Sequence, residues 1–190
     1  MPIYEEYLSR HIQGYLKRDY NPLIGTIGGF REEFRFIMRY AQQTGGPVLE
    51  LACGGGRVIL ALATLGYRVY GIDASAHMLR FGMAARGELE SQETQERITY
   101  IRADMRSFQF TARFPLIIIP YHSFWLNLDE SGAEQCLERI MEHLAPKGFF
   151  LIENPRMYGF WEQASIKLKF QYTLEEYYFY TRMMLVGQHA

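Results

Sequence analysis

The chain has 190 residues, of which 48% are hydrophobic and 22% are charged, with a formal net charge of -1. This length suits one α/β domain with a sizeable core, and the near-neutral charge argues against nucleic acid or an anionic membrane as a partner. The two cysteines, Cys53 and Cys136, have no CxxC partner, so no disulfide framework and no metal site is predicted. The sequence shows no signal peptide and no long apolar run, which favours a reducing, cytoplasmic setting.

The amino-terminal part of the sequence predicts two helices. Residues 1–30 are expected to form a helix followed by a glycine-containing loop. In the segment 31–43, Phe34, Met38 and Ala41 recur at helical spacing. The Gly-Gly-Pro run at 45–47 ends this second helix.

Strands and helices alternate through the middle of the sequence. Short apolar runs predict five strands, at 48–51, 68–73, 98–101, 116–119 and 149–152. Helices are predicted at 57–65, from the N-cap Ser75 through Met83, and at 133–144. The continuous apolar run at 116–119 is typical of a central parallel strand that is covered on both faces. The order of elements therefore predicts a doubly wound, mainly parallel sheet with helices on both faces.

A glycine-rich turn, 50–56 with the sequence ELACGGG, joins the first strand to the next helix. Open α/β sheets bind ligands at this edge, where the glycines let a ligand approach the backbone and the helix offers free N–H groups. A dinucleotide site requires GxGxxG, but Ile59 occupies the last glycine position. Glu50 would also repel a pyrophosphate, whereas it would attract the ammonium and sulfonium of S-adenosylmethionine. A purely structural turn remains the alternative.

The segment from Glu50 to Gly56 resembles motif I of class I S-adenosylmethionine-dependent methyltransferases, in the variant with alanine in place of the first glycine. The resemblance extends over about residues 31–155 and implies a Rossmann-like α/β fold, S-adenosylmethionine as cofactor and methyl transfer as the activity. The cofactor-binding residues that it implies are Glu50, Ala52, Cys53, Gly54, Gly56, Arg57, Asp73, Ala74, Met78, Asp104, Met105 and Pro120.

Two further acids follow the second and third strands. Asp73 is expected to accept both ribose hydroxyls, although it could merely cap the next helix. The resemblance implies that Asp104 accepts a hydrogen bond from the adenine amino group. It also implies that the backbone N–H of the next residue contacts the adenine ring. Arg57 is expected either to close the pocket or to have a plain surface role at the start of the helix. Three acids at the carboxyl ends of consecutive strands form a stronger signal than any one of them.

The methyl acceptor is expected beyond the fourth strand, where Tyr121 and His122 follow Pro120. His122 could act as a general base because imidazole titrates near neutrality, although both side chains could equally form pocket walls. The Asn/Asp-Pro-Pro-Tyr motif of amino-methyltransferases is missing here, and a small-molecule acceptor is favoured. The amino-terminal segment, with Tyr15 or Tyr20, resembles the lid of small-molecule members.

Three segments are therefore expected: a lid helix and loop at 1–30, a cofactor-binding domain at 31–155 and a carboxyl-terminal segment at 156–190. Strands are predicted at 166–172 and 178–186, either as a substrate-side sheet or as an incomplete closing hairpin. If the closing strands are missing, the fifth strand would lie at an edge and could support a homodimer. Two alternatives to a methyltransferase stay open: a non-catalytic S-adenosylmethionine-binding regulator and an NAD-dependent oxidoreductase.

Overall fold

The computed structural model describes residues 28–127, 129–153, 158–178 and 182–189. The described strands are β1 (Val48–Leu51), β2 (Val69–Asp73), β3 (Ile98–Arg102), β4 (Phe114–Ile119), β5 (Leu144–Glu153), β6 (Phe170–Tyr178) and β7 (Arg182–His189). The described helices are α1 (Gly28–Thr44), α2 (Arg57–Thr64), α3 (Ala76–Gly87), α4 (Gln92–Glu96), α5 (Glu130–His143) and α6 (Tyr158–Leu168), with a 3-10 turn at Ser123–Asn127. The predicted lid at 1–30 lies almost entirely outside the described residues.

The described strands form one sheet in the order β3-β2-β1-β4-β5-β7-β6. The first five are parallel, with Val48 of β1 opposite Val69 of β2 and Leu116 of β4. The strand order reverses at β1: β2 and β3 are added on one side of β1, and the chain then crosses over so that β4 pairs with β1 on its other side. The carboxyl ends of β1 and β4 therefore border a crevice of the kind in which open α/β sheets bind ligands.

Each face of the sheet has its own apolar core. On one face, α1, α2 and α3 cover Val48, Leu116 and Ile118. On the other face, α5 and α6 cover Leu49, Ile117 and neighbouring residues of the same strands. Alternate residues of a strand point to opposite faces, so an uninterrupted apolar run fills both cores. This arrangement confirms the predicted doubly wound sheet with helices on both faces.

The five central strands and the helix start at Ser75 agree with the sequence predictions. The Ser75 hydroxyl accepts the Met78 backbone N–H at 3.3 Å, as expected of an N-cap. The buried face of α1, however, is rotated relative to the face that the sequence predicted. Its fully buried side chains are centred on Ile37 and Ala41, and Phe34 and Met38 lie at the margin of the core.

The carboxyl-terminal segment departs from the prediction. Residues 166–168 are helical and belong to α6, so the predicted strand at 166–172 begins only at Phe170. A separate substrate-side sheet is wrong, because β7 pairs antiparallel with β5 and β6 pairs with β7. The closing strands, whose absence was one of the two alternatives, are present as β6 and β7, and β5 does not lie at an edge. The predicted homodimer loses this support and stays a prediction.

Candidate functional site

The three predicted acids lie at one edge of the sheet. Glu50 is opposite Gly71 of β2 and Ile118 of β4, near the carboxyl end of β1. Asp73 is the last residue of β2, opposite Arg102 of β3, and Asp104 follows β3 by two positions. Because β1, β2 and β3 are adjacent and parallel, their carboxyl ends place these acids along the same rim.

The glycine-rich turn folds back onto β2 through backbone hydrogen bonds. The Cys53 N–H donates to the Ile72 carbonyl and the Gly56 N–H donates to the Cys53 carbonyl, both at 2.9 Å. Ala52, Gly54 and Gly56 have φ values of 54°, 55° and 84°. This left-handed region is costly for residues with a side chain, so glycine suits two of the three positions.

Gly56 has a second reason to be glycine. A Cβ atom at this position would lie 1.9 Å from the Tyr100 hydroxyl oxygen. Tyr100, which the sequence reading did not single out, also packs against Gly82 on α3. Part of the glycine pattern therefore serves packing between the turn, β3 and α3. Gly54 differs from Gly56, because only the flexible end of Met78 stands near the place of its missing Cβ, at 3.0 Å.

The carboxylate of Asp73 is held in place by two backbone donors. Its Oδ2 accepts the Gly54 N–H at 2.8 Å, and its Oδ1 accepts the Ser75 N–H at 2.8 Å. Burial raises the pKa of Asp73, and the two N–H groups oppose this shift. Asp73 does not cap α3, because Ser75 does so. Asp73 fixes the glycine turn against β2, and each oxygen keeps a lone pair for a ligand hydroxyl.

Glu50 is a buried carboxyl, 3% exposed, and its Oε2 has no hydrogen-bond partner among the described residues. Burial raises its pKa to about 8, and the charges of Glu33 and Asp73 add to this rise. The Arg57 guanidinium and the Ile59 backbone N–H lower the pKa in part. A buried oxygen without a partner is costly, so this position is suited to a ligand that brings a positive charge.

Arg57 is held inside the site, which rules out a plain surface role. Its Nη2 donates to both carboxylate oxygens of Glu33, at 2.9 and 3.1 Å, and Glu33 is fully buried. The same guanidinium lies 5.0 Å from the centre of the Tyr121 ring. Arg57 therefore links α1 to the glycine turn and to the loop after β4.

Tyr121 and His122 form a strained turn beyond β4. Both have left-handed φ values, 59° and 62°, which is uncommon for residues with bulky side chains. The Tyr121 N–H donates to Oε2 of Glu153, the fully buried last residue of β5. Tyr121 is 46% exposed, and the centre of its ring lies 6.2 Å from the centre of the His122 ring. Pro120, one residue earlier, is buried.

Asp104 has an intramolecular partner. Its carboxylate accepts from Arg106, with Nη2 at 2.6 Å and the backbone N–H at 2.8 Å, and these hydrogen bonds lower the pKa of Asp104. Asp104 is thus an ionised acceptor at neutral pH. Ala74 is exposed at the rim and Met105 is partly buried against the core of α5 and α6. The cofactor roles of Asp104, Ala74 and Met105 stay predictions.

Cys53 is suited to packing rather than to covalent catalysis. Burial raises the pKa of its thiol well above the usual range, and the nearby Glu50 and Asp73 charges act in the same direction. The thiol therefore remains protonated and weakly nucleophilic. Cys53 and Cys136 are both free and buried. Within the described ranges, no cluster of His, Cys, Asp and Glu could hold a metal ion, and no helix is long and apolar enough to cross a bilayer.

Sequence reading missed two buried acids of this site, Glu33 and Glu153. Glu33 could have been suspected, because it lies one turn before Ile37 on the inner face of α1. Nothing local to Glu153 indicates its role, since its partner Tyr121 is distant in sequence and reaches it only through β4 and β5 pairing.

A mainly parallel sheet with an acidic glycine turn after its first strand, closed by an antiparallel hairpin, defines the class: a Rossmann-like α/β domain. Residues 48–148 match the profile described as "Methyltransferase domain", and the chain belongs to this family. A protein of Geobacillus sp. (strain WCH70) designated as a methyltransferase is 27% identical over 117 residues, covering 62% of this chain and 45% of that protein. The cypemycin N-terminal methyltransferase of Streptomyces sp. is 30% identical over 104 residues, covering 55% of this chain and 40% of that protein.

A solved structure of a methyltransferase shares the fold. Magnesium protoporphyrin IX methyltransferase from Synechocystis PCC 6803, solved with bound S-adenosylmethionine, superposes with a TM-score of 0.73 at 15% identity, covering 100% of this chain and 96% of that chain. At this identity the similarity concerns the fold. The chain spans less than half the length of the curated relatives described above.

Proposed function

We propose that this protein is an S-adenosylmethionine-dependent methyltransferase that acts on a small-molecule acceptor. The observation that carries the proposal is a group of acidic side chains at the carboxyl ends of the strands, where the strand order reverses, in a chain of the methyltransferase domain family. This group, Glu33, Glu50 and Asp73 together with Arg57, is called the cradle below. There, Asp73 holds the glycine turn at Gly54, and Glu50 presents a buried oxygen without a partner. The Synechocystis structure with the same fold contains S-adenosylmethionine, which supports the choice of cofactor.

The charge of the cradle fits this cofactor better than a dinucleotide. S-adenosylmethionine has two cationic centres and one carboxylate, whereas NAD has an anionic pyrophosphate. A pyrophosphate at the turn would face the Asp73 carboxylate in a site of reduced dielectric, where like charges repel strongly, and it would bring no cation to the buried Glu50 carboxyl. The oxidoreductase alternative is therefore disfavoured. The regulatory alternative rested on missing closing strands, and β6 and β7 are present in the main sheet.

The residues present allow a division of roles when the cofactor is bound. Asp73 would accept the ribose hydroxyls, and Asp104 and Met105 would border the adenine. Gly54 and Gly56, with Ala52 and Cys53, would let the amino-acid part approach the backbone. The bound cofactor would supply a methyl group already activated by its sulfonium.

The acceptor would lie beside Tyr121 and His122, beyond the fourth strand. Tyr121 is fixed there by Glu153 through its backbone and by Arg57 through its ring. A fixed wall orients the acceptor and excludes water, and orientation of this kind can contribute about 7–11 kcal/mol. His122 would take a proton only from an acceptor that still holds one at working pH. The net charge of -1 supports a small molecule over a nucleic acid, and two buried thiols suit the cytoplasm.

Calorimetry with S-adenosylmethionine, S-adenosylhomocysteine and NAD tests the cofactor assignment. We expect binding of the first two and none of NAD; binding of NAD alone would overturn the proposal. Methyl transfer is then measured with radiolabelled S-adenosylmethionine and a metabolite extract separated by size. Label in the low-molecular-mass fraction supports a small-molecule acceptor, whereas label confined to nucleic acid or protein contradicts it. Cofactor binding without label in any fraction would instead favour the regulatory alternative.

A further inference from the structure

Among the described residues, the cradle contains more acidic than basic side chains. Three carboxyl groups, those of Glu33, Glu50 and Asp73, meet one guanidinium, that of Arg57. The Cys53 thiol lies in the same group and stays neutral. With all three carboxyls ionised, these four described side chains would have a net charge of about -2 in a buried setting, which is costly.

The three carboxyls differ in how their charge is compensated. Glu33 receives two hydrogen bonds from Arg57, and Asp73 receives one backbone N–H on each oxygen. Glu50 receives the Ile59 N–H, but its Oε2 has no partner in the described part of the chain. Glu50 is therefore the member of the cluster that is most easily kept neutral by a proton.

We infer that Glu50 holds a proton while the cradle is empty of ligand and releases it to solvent when a cationic ligand binds. The inference rests on the proposed function, because the cation is supplied by the amino-acid part of the cofactor. The balance is simple: the neutral carboxyl loses its O–H proton to buffer, and the ligand's positive charge replaces it next to the carboxylate. No other group changes its bonds.

The surroundings of Glu50 support this exchange. Burial favours the protonated form most, Glu33 from α1 and Asp73 from β2 act in the same direction, and the pKa of Glu50 rises to about 8. Arg57 and the Ile59 N–H, both from α2, favour the charged form. Neutral pH thus lies below the pKa of Glu50, so the proton is present when the ligand arrives. A neighbouring cation then favours the carboxylate by direct attraction.

Isothermal titration of the full chain with S-adenosylhomocysteine measures this exchange. The observed binding enthalpy is compared at pH 7 in buffers with different ionisation enthalpies, and the slope gives the protons released per ligand. We expect about 0.9 proton for the wild-type protein. Affinity should also rise about 20-fold between pH 6 and 7.5, because the proton competes with the ligand.

Three controls isolate Glu50. Glu50→Gln keeps the shape of the neutral carboxyl, and we expect no proton release and an affinity independent of pH. Glu142→Gln removes a half-exposed carboxyl on α5 and should leave proton release at the wild-type value. Adenosine, which has no cationic centre, should bind without proton release.

Two results would overturn the inference: binding of S-adenosylhomocysteine to the wild-type protein with no proton release, or release that persists in Glu50→Gln. The wild-type measurement decides on its own, even if the variant fails to fold. Failure of the proposed function would look different, because neither S-adenosylmethionine nor S-adenosylhomocysteine would then bind at any pH.

Discussion

Replacing Asp73 with alanine tests the link between the glycine turn and ribose recognition. The change removes the acceptor of two backbone N–H groups, those of Gly54 and Ser75, each at 2.8 Å. Hydrogen bonds to a charged group contribute about 1.5–3 kcal/mol each. Water can replace part of both at this partly buried position, so we expect a loss of about 2–4 kcal/mol in the free energy of unfolding.

The same substitution should weaken cofactor binding at least tenfold, or about 1.4 kcal/mol, because the ribose hydroxyls lose their acceptor. Denaturant unfolding gives the stability term. Calorimetry with S-adenosylhomocysteine gives the affinity, at a temperature where circular dichroism shows the variant to be folded. Asp73→Asn, which keeps one acceptor oxygen, should fall between wild type and Asp73→Ala in both measurements.

A comparison of ligands separates the two roles of Asp73. Removing both ribose hydroxyls from S-adenosylhomocysteine should weaken binding to the wild-type protein. The same removal should cost little in Asp73→Ala, where the acceptor is already absent. An equal penalty in both proteins would refute direct recognition of the ribose. Asp73 would then act only by fixing the turn.

Three further predictions concern the turn, the core and pH. Gly56→Ala should lower the free energy of unfolding by about 2–4 kcal/mol, because the added Cβ would lie 1.9 Å from the Tyr100 hydroxyl oxygen and the backbone is left-handed. Thermal melting should show that adding Tyr100→Phe restores part of this stability. No recovery would contradict the contact with Tyr100 as the cause. The buried His143 accepts the Phe110 N–H at 2.9 Å, so His143→Leu should cost about 1–3 kcal/mol in urea unfolding, and an unchanged midpoint would count against this role. Because the folded pKa of Glu50 is raised to about 8 from 4.5, the native state binds more protons between these values. The free energy of unfolding should therefore fall by about 4 kcal/mol as pH rises from about 5 to about 9. Urea titrations should show a flatter profile for Glu50→Gln, and identical profiles would disprove the shift.

The central fold and most of the cradle could be predicted from the sequence, because the relevant signals are local. Uninterrupted apolar runs such as 116–119 indicate buried parallel strands, and glycines directly after a strand indicate a turn that needs left-handed backbone. The positions of Glu50 and Asp73 follow from the same reading, since parallel strands all end at one edge of the sheet. The roles of these acids in binding the cofactor came from the family resemblance.

The carboxyl-terminal hairpin and the support of Tyr121 could not be predicted in this way. Nothing in the residues of β6 and β7 states which strand they join, and pairing with β5 depends on an edge that the rest of the sheet creates. The Glu153 contact likewise joins residues on different strands.

The sequence alone therefore determined the alternation of strands and helices, the turn and the rim of acids, because periodicity, glycine and charge act over a few neighbouring residues. Only the tertiary structure decided that Glu33 and Arg57 pair inside the site, that Glu153 holds Tyr121 and that Glu50 keeps an oxygen without a partner in the described chain. Burial and long-range pairing exist only once the chain has closed on itself, and these set the charge of the cradle.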